Sequence, residues 1–151
     1  MKFSKIIGVG DYLPEKVLSN NHLEDFVETT DEWIFTRTGI KQRHIAEERQ
    51  LTSDLAINAA KDAFKIASIK PSELDCVIVA TTTPDETFPS TATKVQNHFK
   101  MDNIPAFDVQ AVCSGFLYSL QIADSFIKSN NANKILVIGA ETLSKIVDWK
   151  D

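Results

Sequence analysis

Basic charge, cysteine and long apolar runs are all scarce in this sequence of 151 residues, and each scarcity closes off a class of function. Lys and Arg number 16 against 21 Asp and Glu, the net charge is −5, and no basic stripe is visible, so nucleic acid is not expected as a partner. No apolar stretch approaches the ~20 residues of a membrane span. The first residues, Met1-Lys-Phe-Ser-Lys-Ile-Ile-Gly8, are too short and interrupted for a secretory leader. Neither a membrane nor export is therefore expected. Two cysteines, Cys76 and Cys113, provide no disulfide framework and no zinc spacing, and a reducing cytoplasm suits both thiols. Repeats, low-complexity segments and linkers are missing too, so the chain reads as one domain, 1–151.

What is present is a succession of apolar runs and amphipathic stretches. Residues 5–9, ending among Gly8 and Gly10, read as a first buried strand. Ser19-Asn-Asn21 can cap a helix through Phe26 or Val27, and a second short helix starts near Thr30 and ends at Gly39. The polar segment 41–50 suits a solvated loop or edge strand. Residues 52–67 form the strongest amphipathic helix, with Leu55, Ala56, Ala59, Ala63, Phe64 and Ala67 at helical spacing and Thr52 or Ser53 as its cap. The β-branched run 74–81 is that of a strand buried on both faces. Pro89-Ser90 opens a helix to about Phe99; 106–111 is a third strand, 134–139 a fourth, and 141–151 has no clear element. Strands alternating with helices predict an α/β layered fold with a mixed, mostly parallel sheet flanked by helices.

In such sheets chemistry collects beyond the carboxyl ends of the strands. Cys113 stands at one of these ends, where Ser114 and Gly115 open an apolar helix. A helix start offers unpaired N–H groups and the positive end of its dipole, which favour a thiolate nucleophile. A small buried hydrophobe is the competing role for a free cysteine. Cys76, inside the run 74–81, has no terminus nearby and reads as core. A thiolate nucleophile usually works with a base. His22 falls in a helix-cap region, His44 among polar residues and His98 at a polar helix end, so no histidine stands at a central strand end. Trp33 and Arg37 are four apart and share a helix face, an arrangement that can stack a base and hold a phosphate, or simply half-pack a Trp beside a solvated Arg. Gly8-Val-Gly10 lacks the third glycine and the helix of a dinucleotide fingerprint.

Six motifs stand in order: Ile6-Ile-Gly-Val-Gly-Asp-Tyr-Leu-Pro14, Thr30-Asp-Glu-Trp-Ile34, Arg37-Thr-Gly-Ile40, Arg43-His-Ile45, Phe88-Pro-Ser90 and Ala106-Phe-Asp-Val-Gln-Ala-Val-Cys-Ser-Gly-Phe116. Together they resemble the β-ketoacyl-acyl-carrier-protein synthase III family over the whole chain. The resemblance implies a thiolase-like fold of two similar halves, usually a homodimer, that starts type II fatty-acid synthesis. It implies that Cys113 takes the acyl group of acyl-coenzyme A as a thioester, with its own backbone N–H donating to the oxyanion, and that the acyl-enzyme condenses with malonyl-acyl-carrier protein. It implies that Trp33 stacks the adenine of coenzyme A with Arg37 and Thr29 near its phosphates, and that Phe88 shapes the acyl pocket of the partner protomer. No cofactor is implied; the coenzyme A thioester is a substrate.

The family is about twice this length, and its assisting His and Asn fall in the second half. The chain is therefore expected to be an incomplete N-terminal thiolase-like domain, able to accept an acyl group but not to complete condensation alone. The apolar helix after Cys113 is expected to lack cover and to leave an apolar patch. A non-catalytic truncated remnant or dimerisation or interaction module, or a related polyketide-starter ketosynthase, is the alternative.

Overall fold

The β-branched run at 74–81 becomes the strand on which the rest is laid. The computed structural model describes residues 2–149. In chain order the elements are β1 (Val17–Ser19), α1 (Asn20–Leu23), α2 (Asp31–Thr38), β2 (Gln42–His44), α3 (Thr52–Ala67), β3 (Cys76–Ala80), α4 (Thr91–His98), β4 (Ala106–Val109), α5 (Gly115–Lys128) and β5 (Ile135–Gly139), with 3-10 turns at Pro71–Glu73, Val112–Ser114 and Leu143–Lys145. The described residues form two compact units: 2–12 with 51–141, and 13–50 with 142–149.

In the first unit β3 is central and pairs in parallel with β4 on one side and β5 on the other. Its side chains alternate between two cores, as the period of a strand requires. Val77 and Val79 pack with Ala56, Ala60 and Phe64 of α3 and Ala92 and Val95 of α4. Cys76 and Ile78 pack with Ala123 of α5, joined by Phe107, Ile122 and Phe126. Val77, Ile78 and Val79 are wholly buried, each side chain contributing about 1.5–3 kcal/mol of hydrophobic stabilisation. Helices thus cover both faces of a parallel sheet, as expected.

Two carboxylates fasten this layering. Asp108, on β4, accepts the backbone N–H groups of Thr91 at 2.8 Å and Ala92 at 2.7 Å, so an acid sits at the start of α4, where the helix dipole favours it. Ser90 caps the same helix by accepting from the Thr93 N–H. At the amino ends of the strands, Asp75 accepts from the N–H of Asn133 at 2.7 Å and of Lys134 at 3.0 Å, tying β3 to β5 before their ladder begins.

The second unit is built from the antiparallel pair β1–β2 and two short helices. Thr30 caps α2 through the Trp33 N–H, and Gly39 ends it in the left-handed region at φ 71°, its N–H donating to the Phe35 carbonyl, much as the sequence indicated. Helix α1 is shorter than expected: Ser19 caps it, but it stops at Leu23 rather than near Val27.

Two further expectations fail. Residues 5–9 form no strand, and Ile6 and Val9 are 70% and 66% exposed. The segment presses its backbone on α3 instead. A Cβ on Gly8 would lie 2.7 Å from the Ala63 carbonyl, and one on Gly10 2.2 Å from the Ala63 nitrogen. The segment and β5 both line a groove of about 800 Å³, and no ladder pairs them. Helix α3 spans the expected residues, but its cap is not Thr52 or Ser53. Asp54 reaches back to accept from the Leu51 N–H at 2.9 Å, while the Thr52 hydroxyl donates to the Thr83 carbonyl.

Two stability outcomes follow from the carboxylates. Asp108→Ala removes two hydrogen bonds to a charged group, each worth about 1.5–3 kcal/mol; chemical denaturation should show a loss of about 2–4 kcal/mol with an unchanged m-value. The amide donors of Asn133 and Lys134 hold the Asp75 carboxyl below its ordinary pKa. A depressed folded-state pKa stabilises above the unfolded value of about 3.9 and loses that stabilisation as pH falls through the folded value. Denaturation midpoints measured from pH 6 down to pH 3 should therefore fall more steeply for the wild type than for Asp75→Asn; parallel curves would refute the assignment.

Candidate functional site

The parallel ladder sets three strand ends side by side, and in the first unit the candidate nucleophile stands beyond one of them. β4 ends at Val109; the chain then turns through Val112–Ser114 and enters α5 at Gly115. Cys113 is in that turn and its side chain is exposed. Ser114, the N-cap of α5, makes no side-chain capping bond, unlike Ser90 at α4. Gly115 is buried, and a Cβ there would stand 3.2 Å from the Cβ of Ala80, so the helix start is pressed onto the end of the central strand. That close approach is why a glycine follows the Cys-Ser pair.

Val112, immediately before Cys113, has φ 47°. A β-branched residue in the left-handed region is a backbone outlier costing on the order of 1–3 kcal/mol, and such strain collects at functional sites. Nothing in the sequence announced it, because valine is among the residues least suited to that conformation.

The other thiol is different in every respect. Cys76 is 1% exposed, and burial, with the neighbouring Asp75 charge, pushes its thiol up to about 11. It is a protonated core residue, as the sequence suggested. Each histidine has its own local partner: His22 meets the Ser19 hydroxyl, His44 the Pro14 carbonyl, and His98 the edge of Phe99. Among the described residues no cluster of three or more His, Cys, Asp or Glu could hold a metal ion, and no helix is long and apolar enough to cross a membrane.

Phe88 also belongs to the first unit, in the loop between β3 and α4, and is 81% exposed. The stem of that loop is held by carboxylates that sequence reasoning missed. Glu141, just past β5, accepts from residues 81–83. Asp85 accepts from the Ser53 N–H at 3.0 Å and pairs with Lys94 at 3.2 Å. Burial opposes ionisation of Asp85, but the Ser53 donors and Lys94 outweigh it and hold the carboxyl below its ordinary pKa. The available signal was an acid within a few residues after the ends of β3 and β5, which sequence alone does not separate from a solvated loop acid.

The remaining candidates belong to the second unit. The Arg37 guanidinium lies 4.4 Å from the centre of the Trp33 ring, and its Nη1 donates to the Trp33 carbonyl. The i, i+4 spacing thus produces a cation–π pair on an exposed indole. Thr29, just before the cap of α2, buries its hydroxyl oxygen with no hydrogen-bond partner among the described residues. In the first turn of α5, where the sequence suggested an uncovered helix, Phe116, Leu117 and Tyr118 are each exposed.

Comparison with known proteins agrees over the whole chain. Residues 107–151 match the family described as 3-oxoacyl-[acyl-carrier-protein (ACP)] synthase III. The complete chain is 62% identical to the β-ketoacyl-[acyl-carrier-protein] synthase III of Wolbachia pipientis wMel and covers 48% of that protein. The crystal structure of the synthase III of Aquifex aeolicus VF5 superposes with a TM-score of 0.93 at 56% identity, covering 97% of this chain and 47% of that one. The priming β-ketosynthase of the R1128 polyketide pathway gives 0.94 at 33% identity, covering 99% and 45%. The fold is thiolase-like α/β, and the chain spans about half the length of the curated relatives it matches. Along its whole length the chain is thus similar to the N-terminal half of the 3-oxoacyl-[acyl-carrier-protein] synthase III family.

Proposed function

We propose that this chain supplies the nucleophile and the coenzyme A contacts of an acyltransferase that condenses acyl-coenzyme A with malonyl-acyl-carrier protein and so starts type II fatty-acid synthesis. The observation that carries this reading is the exposed Cys113 thiol on a strained turn between a parallel strand and an uncapped helix. The Cys113 thiolate attacks the thioester carbonyl of acyl-coenzyme A, and the oxyanion that forms is met by backbone N–H groups at the helix start, Cys113's own among them. The bond to coenzyme A then breaks, the departing thiolate takes up a proton, and the acyl group remains on Cys113. One oxyanion donor of this kind is typically worth ~10²–10³ in rate.

Trp33 stacks the adenine, using indole surface that Arg37 leaves open, while Arg37 and Thr29 face the phosphates. Phe88 closes the acyl pocket of the partner protomer in a homodimer. Decarboxylation of malonyl-acyl-carrier protein and attack on the Cys113 thioester require a His and an Asn that the resemblance assigns to the other half. The chain therefore carries acylation, and condensation needs both halves. The setting is the cytoplasm, with no cofactor besides the thioester substrate.

Three measurements test this. In the native chain one thiol, Cys113, should react with a thiol reagent, and the second only after denaturation. Incubation with acyl-coenzyme A, alone and with the C-terminal half of the Wolbachia relative supplied by fusion, should add one acyl mass that disappears in Cys113→Ala; absence of that mass from the fused wild type would sink the assignment. In the fused enzyme, Trp33→Ala should raise KM for acyl-coenzyme A about tenfold, equivalent to ~1.4 kcal/mol, with kcat within about twofold.

A further inference from the structure

The strand ends around Cys113 carry a residue that no step above uses. Glu141 follows β5, and its carboxylate collects four donors from three successive residues beyond β3. Oε1 accepts the Thr82 N–H at 2.8 Å; Oε2 accepts the Thr83 N–H at 3.0 Å, the Thr81 hydroxyl at 3.5 Å and the Thr83 hydroxyl. The sheet does not need this bond set, because the Ala140 N–H already continues the ladder by donating to the Ala80 carbonyl at 3.1 Å. What the carboxylate holds is the loop.

That loop touches the nucleophile's element at its root and carries Phe88 towards its far end. The Thr81 N–H donates to the carbonyl of Val109, the last residue of β4, and Ala80 is the residue against which Gly115 is pressed. From the other side, the Thr52 hydroxyl donates to the Thr83 carbonyl at 2.5 Å, and Asp85 is fixed by Ser53 and Lys94. The stem 81–85 is thus clamped from β5, α3 and α4, while Phe88 projects at 81% exposure. A rigid stem under a projecting aromatic ring fixes where the ring can reach.

We infer that Glu141 is a positioning residue for acyl-group selection: by holding Thr81, Thr82 and Thr83 it fixes the stem that aims Phe88 and braces the first turn of α5. It touches neither substrate nor Cys113, and the inference rests on the function proposed above. An acyl chain of a given length is accepted or refused by the position of a wall, so loosening the stem changes the preference among acyl groups more than it changes thiol reactivity.

The test uses Glu141→Gln in the chain fused to the C-terminal half of the Wolbachia relative. The amide keeps the shape but turns one acceptor into a donor facing donors. The kcat/KM ratio for acetyl- against hexanoyl-coenzyme A should shift about tenfold, while alkylation of Cys113 by iodoacetamide changes by less than about twofold. Thr83→Val, a milder variant, should shift the ratio in the same direction; Thr83→Ser, which keeps the hydroxyl, should restore it; and Thr83→Val should add little in the Glu141→Gln background. A lowered Tm with an unchanged acyl ratio in both Glu141→Gln and Thr83→Val would reduce Glu141 to a structural tie and overturn the inference. A wild type that never acylates Cys113 would remove the proposed function first and this inference with it.

Discussion

Burial of β3 on both faces is the constraint from which the first unit follows. A strand that must hide Val77 and Val79 on one side and Cys76 and Ile78 on the other needs helices above and below and a strand at each edge. Parallel pairing then requires crossovers, so every strand leaves the sheet in the same direction. The geometry does not choose what is placed at those exits, but it guarantees that the segments after β3, β4 and β5 become neighbours. Cys113, the loop stem at residues 81–83, and Glu141 are the occupants of those three exits. Residues separated by up to 60 positions meet through one ladder.

Carboxylates carry much of the polar order around that ladder. Asp75 closes its amino end, Asp108 anchors a helix start, and Asp85 and Glu141 pin the loop over its carboxyl end. Each accepts backbone N–H groups that a loop or helix terminus would otherwise leave for water to satisfy. This is a different use of negative charge from a solvated surface, and it explains part of the acidic excess without invoking an acidic or basic partner.

The sequence was most legible where one segment decides its own fate. Helix α3 needs only its apolar stripe, α2 only Thr30 and Gly39 at its ends, and β3 only a continuous β-branched run; all three are placed as read. The cation–π pair of Trp33 and Arg37 was visible for the same reason, since i, i+4 spacing is local. Legibility failed where a second segment decides. Residues 5–9 have strand composition, but a strand exists only with a ladder partner, and here Gly8 and Gly10 commit the backbone to α3. Glu141 looked like the start of a featureless tail because its four donors lie some 60 positions earlier. The left-handed Val112 is the extreme case, a local conformation opposite to the residue's own preference.

The two cysteines bring these points together. They have the same side chain and belong to the same unit. Cys76 opens β3, where ladder neighbours and α5 exclude water, and its thiol is held protonated by burial beside Asp75. Cys113 stands past the end of β4, where the ladder has stopped, the turn is strained and the helix start is uncapped. Exposure is therefore assigned by distance along a strand rather than by residue type. A thiol within the sheet becomes a core atom, and a thiol one turn beyond it meets solvent beside a helix start. The strand-to-helix junction is where the packing rules that bury Cys76 cease to apply, so Cys113 is open to a reagent where Cys76 is not.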